Sequence, residues 1–288
     1  LSVSDYQRFE ITKPMLVRTF LEQHISQRAL KSLKYEGGIQ VNGQNRTVRY
    51  QLEAGDILEL FYPDERAETK LQPWYFPLHI LYEDADLMVV RKPYGIPSIP
   101  TRRYPFHTLA NIIIAYYEMQ HISSTVHLVS RLDKDTAGII LVAKNRRMHH
   151  LLENNFERRY RLWIEGTMPK EVGIIDAPIG RKADSIKRLV MPRGKKAITH
   201  YRMIWTDGKQ SLVEAKLETG RTHQIRVHFS HLGHALLGDV LYGKAHPLFK
   251  GQALYSYYLA FKHPSTKQEM VFQDLPSCFD ETFFQVVD

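Results

Sequence analysis

A single cysteine, Cys278, in 288 residues excludes an internal disulfide framework and any multi-cysteine zinc or iron–sulfur centre, and it suits a reducing compartment. No apolar run approaches the ~20 residues that a membrane-spanning helix needs. The opening Leu1-Ser2-Val3-Ser4-Asp5 has no basic head followed by an apolar stretch. No secretory signal is therefore expected from it, and the expected location is the cytoplasm. No internal repeat, low-complexity tract or HExxH pattern occurs. Hydrophobic residues make up 43% and charged residues 24%, which excludes wholesale disorder. The length allows one large domain plus a small one.

Acids are the scarcer charge. Lys and Arg number 39 against 31 Asp and Glu, a formal net charge of +8. Such an excess fits a polyanionic partner or ordinary surface charge. Its placement says more than its sum. Between Arg181 and Arg202 lie Arg181, Lys182, Lys187, Arg188, Arg193, Lys195, Lys196 and Arg202, against Asp184 alone. Like charges this dense repel, so the stretch is expected in solvent or opposite phosphates.

Residues 1–62 read as a small separate unit. Val17, Phe20, Leu21 and Ile25 recur at helical spacing. Ser26 is placed to cap a second helix that Gly37-Gly38 ends. Ile39-Gln40-Val41 alternates into Asn42-Gly43, a tight-turn pair, and a strand is expected over Ile57–Phe61. Arg28, Lys31 and Lys34 occupy the outward face of the second helix, which suits RNA phosphates or plain solvation. Residues 63–77, polar and then carrying Pro73 and Pro77, read as a linker. Residues 78–288 read as one long α+β domain. Strand-like runs cover Leu87–Val90, Ile139–Ala143, Leu162–Glu165, Ile198–Trp205 and Leu212–Leu217. Helical periods cover Leu109–Tyr117, Met148–Phe156 and Thr222–Leu232. Strands and helices do not alternate strictly, so a mixed or largely antiparallel sheet is expected.

Three segments invite chemistry. Gly238-Asp239-Val240-Leu241-Tyr242-Gly243-Lys244-Ala245 has phosphate-loop spacing, but Ala245 stands where a hydroxyl must meet magnesium, and Val-Leu-Tyr is bulky. His223, His228, His231 and His234 cluster, but no neighbouring Cys or carboxylate completes a zinc set, so structural or RNA-contacting roles are expected and no metal. The third segment is the charged loop Arg131-Leu132-Asp133-Lys134-Asp135-Thr136-Ala137-Gly138, which runs into the apolar strand Ile139–Ala143. Such an entry can hold a loop carboxylate at a cleft edge, or form a polar turn in which Asp133 or Asp135 merely caps.

This loop resembles the HRLDxxTSG signature of the RluA-type pseudouridine synthases. Further blocks agree in the family's order. The stretch from Tyr82-Glu83-Asp84 to Arg91-Lys92-Pro93-Tyr94-Gly95 is similar to "YEDxxxxVxNKPxG". Arg159–Gly166 resembles "KxYxAxxxG". Gly220-Arg221-Thr222-His223-Gln224-Ile225-Arg226-Val227-His228 with Gly238–Gly243 is similar to "GRTHQIRVH…GDxxYG". Residues 1–62 resemble the S4 RNA-binding fold. Five positions depart from the usual pattern. Ser130 replaces His, Ala137 replaces Ser or Thr, Arg91 replaces Asn, and Leu254-Tyr255-Ser256 replaces Leu-His-Ala.

The resemblance implies a small S4-like α/β domain and a pseudouridine synthase catalytic domain that isomerises uridine in structured RNA. Large-subunit ribosomal RNA is the expected substrate, with tRNA as the other. No metal and no organic cofactor are implied, and a monomer is the default. Asp133 would be the essential carboxylate, attacking C1′ or removing the 2′ proton. Arg226 would pair with it, its fork taking both carboxylate oxygens. Tyr160 would position the uracil or relay its C5 proton. The target nucleotide would leave the stack, with Arg131 filling the space or tied in a loop salt bridge. Ile225, Lys144 and His223 would line the substrate pocket, and Arg28, Lys31, Lys34, Arg188, Lys195 and Lys196 would meet the RNA backbone. The changes at Ser130 and Tyr255 also allow an RNA-binding assembly protein with an idle pocket.

Overall fold

The structure is a computed structural model that describes residues 6–25, 27–35, 37–62, 71–181 and 185–285. Residues 1–5, Ser26, positions 63–70 of the expected linker, Lys182, Asp184 and the side chain of Arg28, all named above, lie outside the described residues. The first elements are β1 (Tyr6–Glu10), β2 (Met15–Leu16), α1 (Val17–His24), α2 (Gln27–Tyr35), β3 (Gly38–Val41), β4 (Gln44–Asn45), β5 (Gln51–Leu52) and β6 (Ile57–Phe61). Strands β1-β6-β3-β4 form an antiparallel sheet in that order, and β2 pairs with β5. Alternation explains the sheet: Ile39, Val41, Leu58 and Leu60 point to one buried face. There they meet Val17, Phe20 and Leu21 of α1, and Leu33 of α2. Asn42 and Gly43 both have positive φ, 52° and 75°, as a tight primed hairpin turn requires. The Asn42 side chain accepts the Ile57 N–H at 2.9 Å and so ties the turn to β6. Strand β1 was not expected, because its Tyr-Gln-Arg-Phe-Glu sequence is too polar to signal a strand.

The larger part contains β7 (His79–Glu83), β8 (Leu87–Lys92), α3 (Leu109–Met119), β9 (His127–Leu128), β10 (Ala137–Ala143), α4 (Arg146–Leu152), β11 (Phe156–Glu165), β12 (Val172–Asp176), β13 (Ile179–Arg181), β14 (Arg188–Val190), β15 (Ile198–Thr206), β16 (Gln210–Leu217), α5 (Gln224–His231), β17 (Leu254–Lys262) and β18 (Glu269–Gln273). Among the described residues, ten strands join in one sheet, in the order β12-β15-β16-β11-β17-β10-β8-β7, with β18 beside β17 and β9 beside β10. Every pairing is antiparallel except β10 with β17, which is parallel. The α+β expectation of a mixed, largely antiparallel sheet holds.

Period-two alternation gives the sheet two apolar faces. Tyr160 and Leu162 of β11, Ile140 and Val142 of β10, and Leu254 of β17 pack with Ile113 of α3 and with Ile225 and Phe229 of α5. On the other face, Ile139 and Leu141 meet Met148 and Leu152 of α4. Farther along that face, Trp163, Leu212, Tyr255 and Tyr257 meet Phe279. Each large apolar side chain buried this way contributes about 1.5–3 kcal/mol.

Two helices are shorter than their periodicity suggests. Helix α4 stops at Leu152 rather than Phe156. Asn154 turns left-handed, with φ 64°, and Phe156 already pairs with Phe261 of β17. Helix α5 begins at Gln224 rather than Thr222, because His223 is left-handed. Strand β17 passed unnoticed because it is buried on both faces and shows no polar alternation.

Candidate active site

The loop from Ser130 to Thr136 leads into β10 and carries Asp133. Its backbone is pinned residue by residue. Ser98 Oγ donates to the Leu132 carbonyl at 2.7 Å and accepts the Leu132 N–H at 3.0 Å. The Thr136 N–H closes on the Asp133 carbonyl at 3.1 Å, and Gln252 Nε2 donates to Thr136 Oγ1 at 3.1 Å. Beneath lies Lys92, fully buried. It donates to the carbonyls of Pro93, Ile96 and Lys134 at 2.9, 2.6 and 3.0 Å. Burial pulls its pKa down to about 7, against the charges of Asp133 and Asp135. Three carbonyl acceptors are all served only by the ammonium form, so we assign Lys92 the charged form within this cradle. Gly138 sits at φ 119°, and a Cβ there would lie 2.2 Å from the Ser256 carbonyl oxygen. Only glycine lets β10 approach β17 at this point.

The cation comes from α5. Gln224 anchors the helix start: its amide donates to the Ile198 carbonyl at 2.9 Å and to Thr199 Oγ1 at 3.1 Å. Its carbonyl oxygen accepts from Thr219 Oγ1 at 2.8 Å and the Arg221 N–H at 3.0 Å. Two residues on, Arg226 Nη1 donates to Asp133 Oδ2 at 3.0 Å. The fork does not take both oxygens of Asp133, as had been expected. Its bidentate partner is Asp239, through Nε at 2.7 Å and Nη2 at 2.8 Å. With Nε and Nη2 given to Asp239, it is Nη1 that reaches Asp133. Burial alone would weaken the Arg226 charge. Its hydrogen bonds to Asp239 and the charges of Asp133 and Asp239 outweigh this and raise its pKa. The Asp239 side chain is sealed at 0% exposure, whereas that of Asp133 is 26% exposed. One carboxylate is structural and the other is open to a ligand.

Asp239 Oδ1 also accepts the N–H groups of Leu241 and Tyr242, at 3.1 and 3.2 Å. These amides are committed to the protein's own carboxylate, which accounts for the phosphate-loop lookalike. His228 is likewise used internally, with Nδ1 2.9 Å from Thr199 Oγ1 and Nε2 2.9 Å from the Ala177 carbonyl. His223 is different. Its Nε2 lies 3.9 Å from Asp133 Oδ2, and its Nδ1 lies 2.8 Å from the Tyr242 hydroxyl.

Tyr160 is 4% exposed and sits at an irregularity in β11 opposite Ser256. Burial raises its pKa; Arg158 opposes this, and the Asp133 charge adds to it. Its hydroxyl therefore stays protonated at neutral pH, with still less phenolate present than in free tyrosine. Ile225 and Leu132 belong to the same apolar cluster as Tyr160. Arg131 is exposed, and among the described residues it has no ion-pair partner. The structure thus brings Arg226 and His223 to the Asp133 carboxylate, close enough for its charge to act on Tyr160, while Ile225 shares the apolar cluster of Tyr160 and Leu132.

It does not bring Lys144 there. Lys144 follows β10, six residues beyond Gly138 and about 20 Å along an extended strand. It pairs with Glu83 at 2.7 Å and with the Asp84 carbonyl at 2.5 Å. Lys31, Lys34, Lys195 and Lys196 are exposed. Arg188 is half-buried on β14; its N–H donates to the Tyr242 hydroxyl at 2.8 Å, and its buried Nη1 has no hydrogen-bond partner. The departures at Arg91, Tyr255 and Ser130 have a physical explanation, whereas nothing in the structure explains Ala137. Arg91 Nε donates to Asp274 at 2.7 Å, and the Tyr255 hydroxyl bonds the same carboxylate. Tyr255 packs with Trp163, on the face opposite Tyr160. Ser130 is tucked against the Leu141 N–H of β10. Sequence reasoning passed over Asp239, Tyr242, Lys92 and Ser98 as individual residues. All but Ser98 fall in matched blocks, but which bonds they make depends on long-range contacts.

Residues 86–231 match the family profile described as RNA pseudouridylate synthase. The chain is 45% identical over 258 residues to the uncharacterized RNA pseudouridine synthase YjbO of Bacillus subtilis, covering 87% of this chain and 91% of that one. The chain belongs to the RNA pseudouridine synthase family. It is also 35% identical to ribosomal large subunit pseudouridine synthase D of Zymomonas mobilis, over 86% of this chain and 85% of that one. Its fold is similar to human RNA pseudouridylate synthase domain containing 4, with a TM-score of 0.57 at 23% identity, covering 73% of this chain and 93% of that one. The protein is therefore an isomerase that makes pseudouridine in RNA.

Proposed function

We propose that this synthase acts on large-subunit ribosomal RNA in the cytoplasm, with Asp133 as its essential carboxylate and its target uridine turned out of the stack. The observation that carries the assignment of Asp133 is the shared guanidinium. Arg226 is fixed bidentately by sealed Asp239 and turns its Nη1 to the open Asp133. This orients the carboxylate while leaving one oxygen for the ribose. Attack at C1′ and removal of the 2′ proton both break N1–C1′ and leave the electron pair on uracil. Uracil rotates and C5 bonds C1′ as the Asp133–C1′ bond breaks or the 2′ proton returns; the C5 proton then departs and N1 regains one, so no atom is lost overall. Tyr160, buried and protonated, bounds the base pocket and holds the ring. It can pass a proton only if its high pKa is overcome in the complex.

Arg131, exposed and without an ion pair among the described residues, is free to fill the gap left by the everted nucleotide, at a stacking cost of roughly a few kcal/mol. Residues 1–62 supply a further RNA-binding unit of S4 type, with 63–77 linking it to 78–288, and the protein acts as a monomer. A contact zone not foreseen from the motifs adjoins the site. Arg102, Arg103 and Phe106 are exposed, and Tyr104 of the same segment takes Lys134 of the Asp133 loop over its ring at 5.2 Å. Support for ribosomal RNA comes from the name of the Zymomonas mobilis relative.

The test is release of tritium from ribosomal RNA labelled at uridine C5, with Asp133→Asn as control, together with pseudouridine maps of cells with and without the gene. Release by wild type alone, and loss of at least one large-subunit site on deletion, is expected. Equal release by both proteins would remove Asp133 from its role, and an unchanged ribosomal map would remove the substrate.

A further inference from the structure

His223 lies between the reacting carboxylate and a tyrosine, with its backbone at φ 58°, an uncommon conformation for a residue with a side chain. Its ring is held from one side, Nδ1 lying 2.8 Å from the Tyr242 hydroxyl. The same hydroxyl accepts the Arg188 N–H at 2.8 Å. A phenol has one proton to give. Donated to Nδ1, that proton satisfies the hydroxyl, the imidazole and the β14 amide together. Were Nδ1 protonated instead, the hydroxyl would take two donors, and its own proton would have no acceptor among the described residues. The ring proton is therefore on Nε2, 3.9 Å from Asp133 Oδ2. That gap is too long for a direct hydrogen bond, so the donor is available to a group entering beside the carboxylate.

The charged and titratable neighbours of the ring come from four places: Asp133 in its loop, Arg226 on α5, Asp239 and Tyr242 after that helix, and Arg188 on β14. Burial leads in lowering the His223 pKa; Arg226 and Arg188 add to it, and Asp133 and Asp239 oppose it. The ring is neutral at pH 7. A protonated ring would instead pair with Asp133, close the gap and take the carboxylate out of the reaction.

We infer that His223, fixed as its Nε2–H tautomer by Tyr242, is the hydrogen-bond donor that meets the negative charge appearing on uracil as N1–C1′ breaks. The inference rests on the reading of Asp133 as the reacting carboxylate. The bond's electron pair stays with uracil, spread over N1, O2 and O4. The deficit at C1′ is met by Asp133 or by loss of the 2′ proton to it. His223 lends its N–H and keeps its proton throughout.

Two measurements on the full chain decide it. Nitrogen NMR of histidine-labelled protein at pH 8, with the His223 signals assigned by their loss in His223→Gln, is expected to show Nε2–H in wild type and a tautomer mixture in Tyr242→Phe. That variant keeps the ring that packs over the Arg226 guanidinium at 5.1 Å. The second measurement is the pH profile of tritium release. His223→Ala is expected to lower kcat about 10²–10³-fold with little change in KM, the loss typical of a donor aimed at developing charge. His223→Gln places an amide N–H near the position of Nε2, so it should stay within about tenfold of wild type and lose the acid limb. Tyr242→Phe should move that limb up by about one pH unit, since the neutral ring loses its favouring hydrogen bond. Nδ1–H in wild type, an acid limb unmoved in both variants, or wild-type kcat in His223→Ala would overturn the inference. A wild-type protein inactive on every RNA would bring down the reading and the inference together, whereas the wrong tautomer in an active enzyme removes the inference alone.

Discussion

Arg226 holds two acids that do opposite things, so it separates stability from chemistry. Asp239 is completely buried, and its removal strands a guanidinium in the interior. Asp239→Ala is expected to cost about 3–5 kcal/mol, as breaking a buried pair typically does. Asp133 is partly open, and its loss leaves Arg226 still bidentate on Asp239. Asp133→Asn is expected to abolish turnover and to change unfolding free energy by less than ~1 kcal/mol. Urea titrations of the two variants check this, and equal destabilisation would contradict the division of labour. The motif block containing Gly238-Asp239 matched plainly, but nothing in its spacing tells that Asp239 rather than Asp133 takes the paired edge of the guanidinium. The same limit applies to Arg91 and Tyr255. Each departs from the family pattern, and each is explained by the other only through Asp274, which no local signal links to either.

Strands β10 and β17 set the position of the Asp133 loop, and glycine sets their distance. A methyl group at Gly138 meets the Ser256 backbone, whereas one at Gly43 meets nothing within 4 Å although its φ is 75°. Gly138→Ala is therefore expected to lower stability by more than ~3 kcal/mol and to cost most of the activity. Gly43→Ala is expected to cost only about 1 kcal/mol of backbone strain. Thermal melts of both variants test the contrast, and similar shifts would show that close approach is not what requires Gly138. This bears on what could be read beforehand. Strand β10 was legible because Ile-Ile-Leu-Val-Ala is apolar without a break, and α3 because Leu109–Tyr117 keeps helical spacing. Strand β17 was not, since burial on both faces erases alternation. Helix α4 was read too long because Asn154 breaks it through its own backbone conformation rather than through any loss of apolar residues. The loop's anchors, Ser98 and Gln252, lie 34 and 116 residues from their partners, beyond the reach of any local pattern.

On the scale of the whole molecule, cationic residues are concentrated and neutral histidines are buried. Lys195 and Lys196 are exposed beside Arg221, whose Nε donates to the Lys196 carbonyl at 2.9 Å. If these lysines meet phosphates, replacing both with Gln should weaken RNA binding uniformly across sequences. It should also flatten the log–log salt slope by about 0.7–0.9 for each lost contact. An unchanged slope in filter binding would place the RNA elsewhere. The histidines make the fold sensitive to acid. Burial lowers the pKa of His149, His223 and His228 below the free value of 6.5. Both ring nitrogens of His228 are already engaged by Thr199 and Ala177. Below about pH 6.5 the unfolded chain takes up protons that the native chain refuses. Unfolding free energy then falls with falling pH, and the loss levels off once pH passes below the native values. Asp84 and Glu214, whose pKa values are lowered in the fold, add their own loss only below about pH 4.5. The interval from pH 8 to 5.5 therefore excludes the carboxylates and reads the histidines together with Lys92, whose pKa burial pulls down to about 7. Urea midpoints are expected to fall across it, and His228→Gln should lower the midpoint at pH 8 while making the fall shallower. A midpoint constant from pH 8 to 5.5 would mean that these rings ionise as readily inside the protein as outside it.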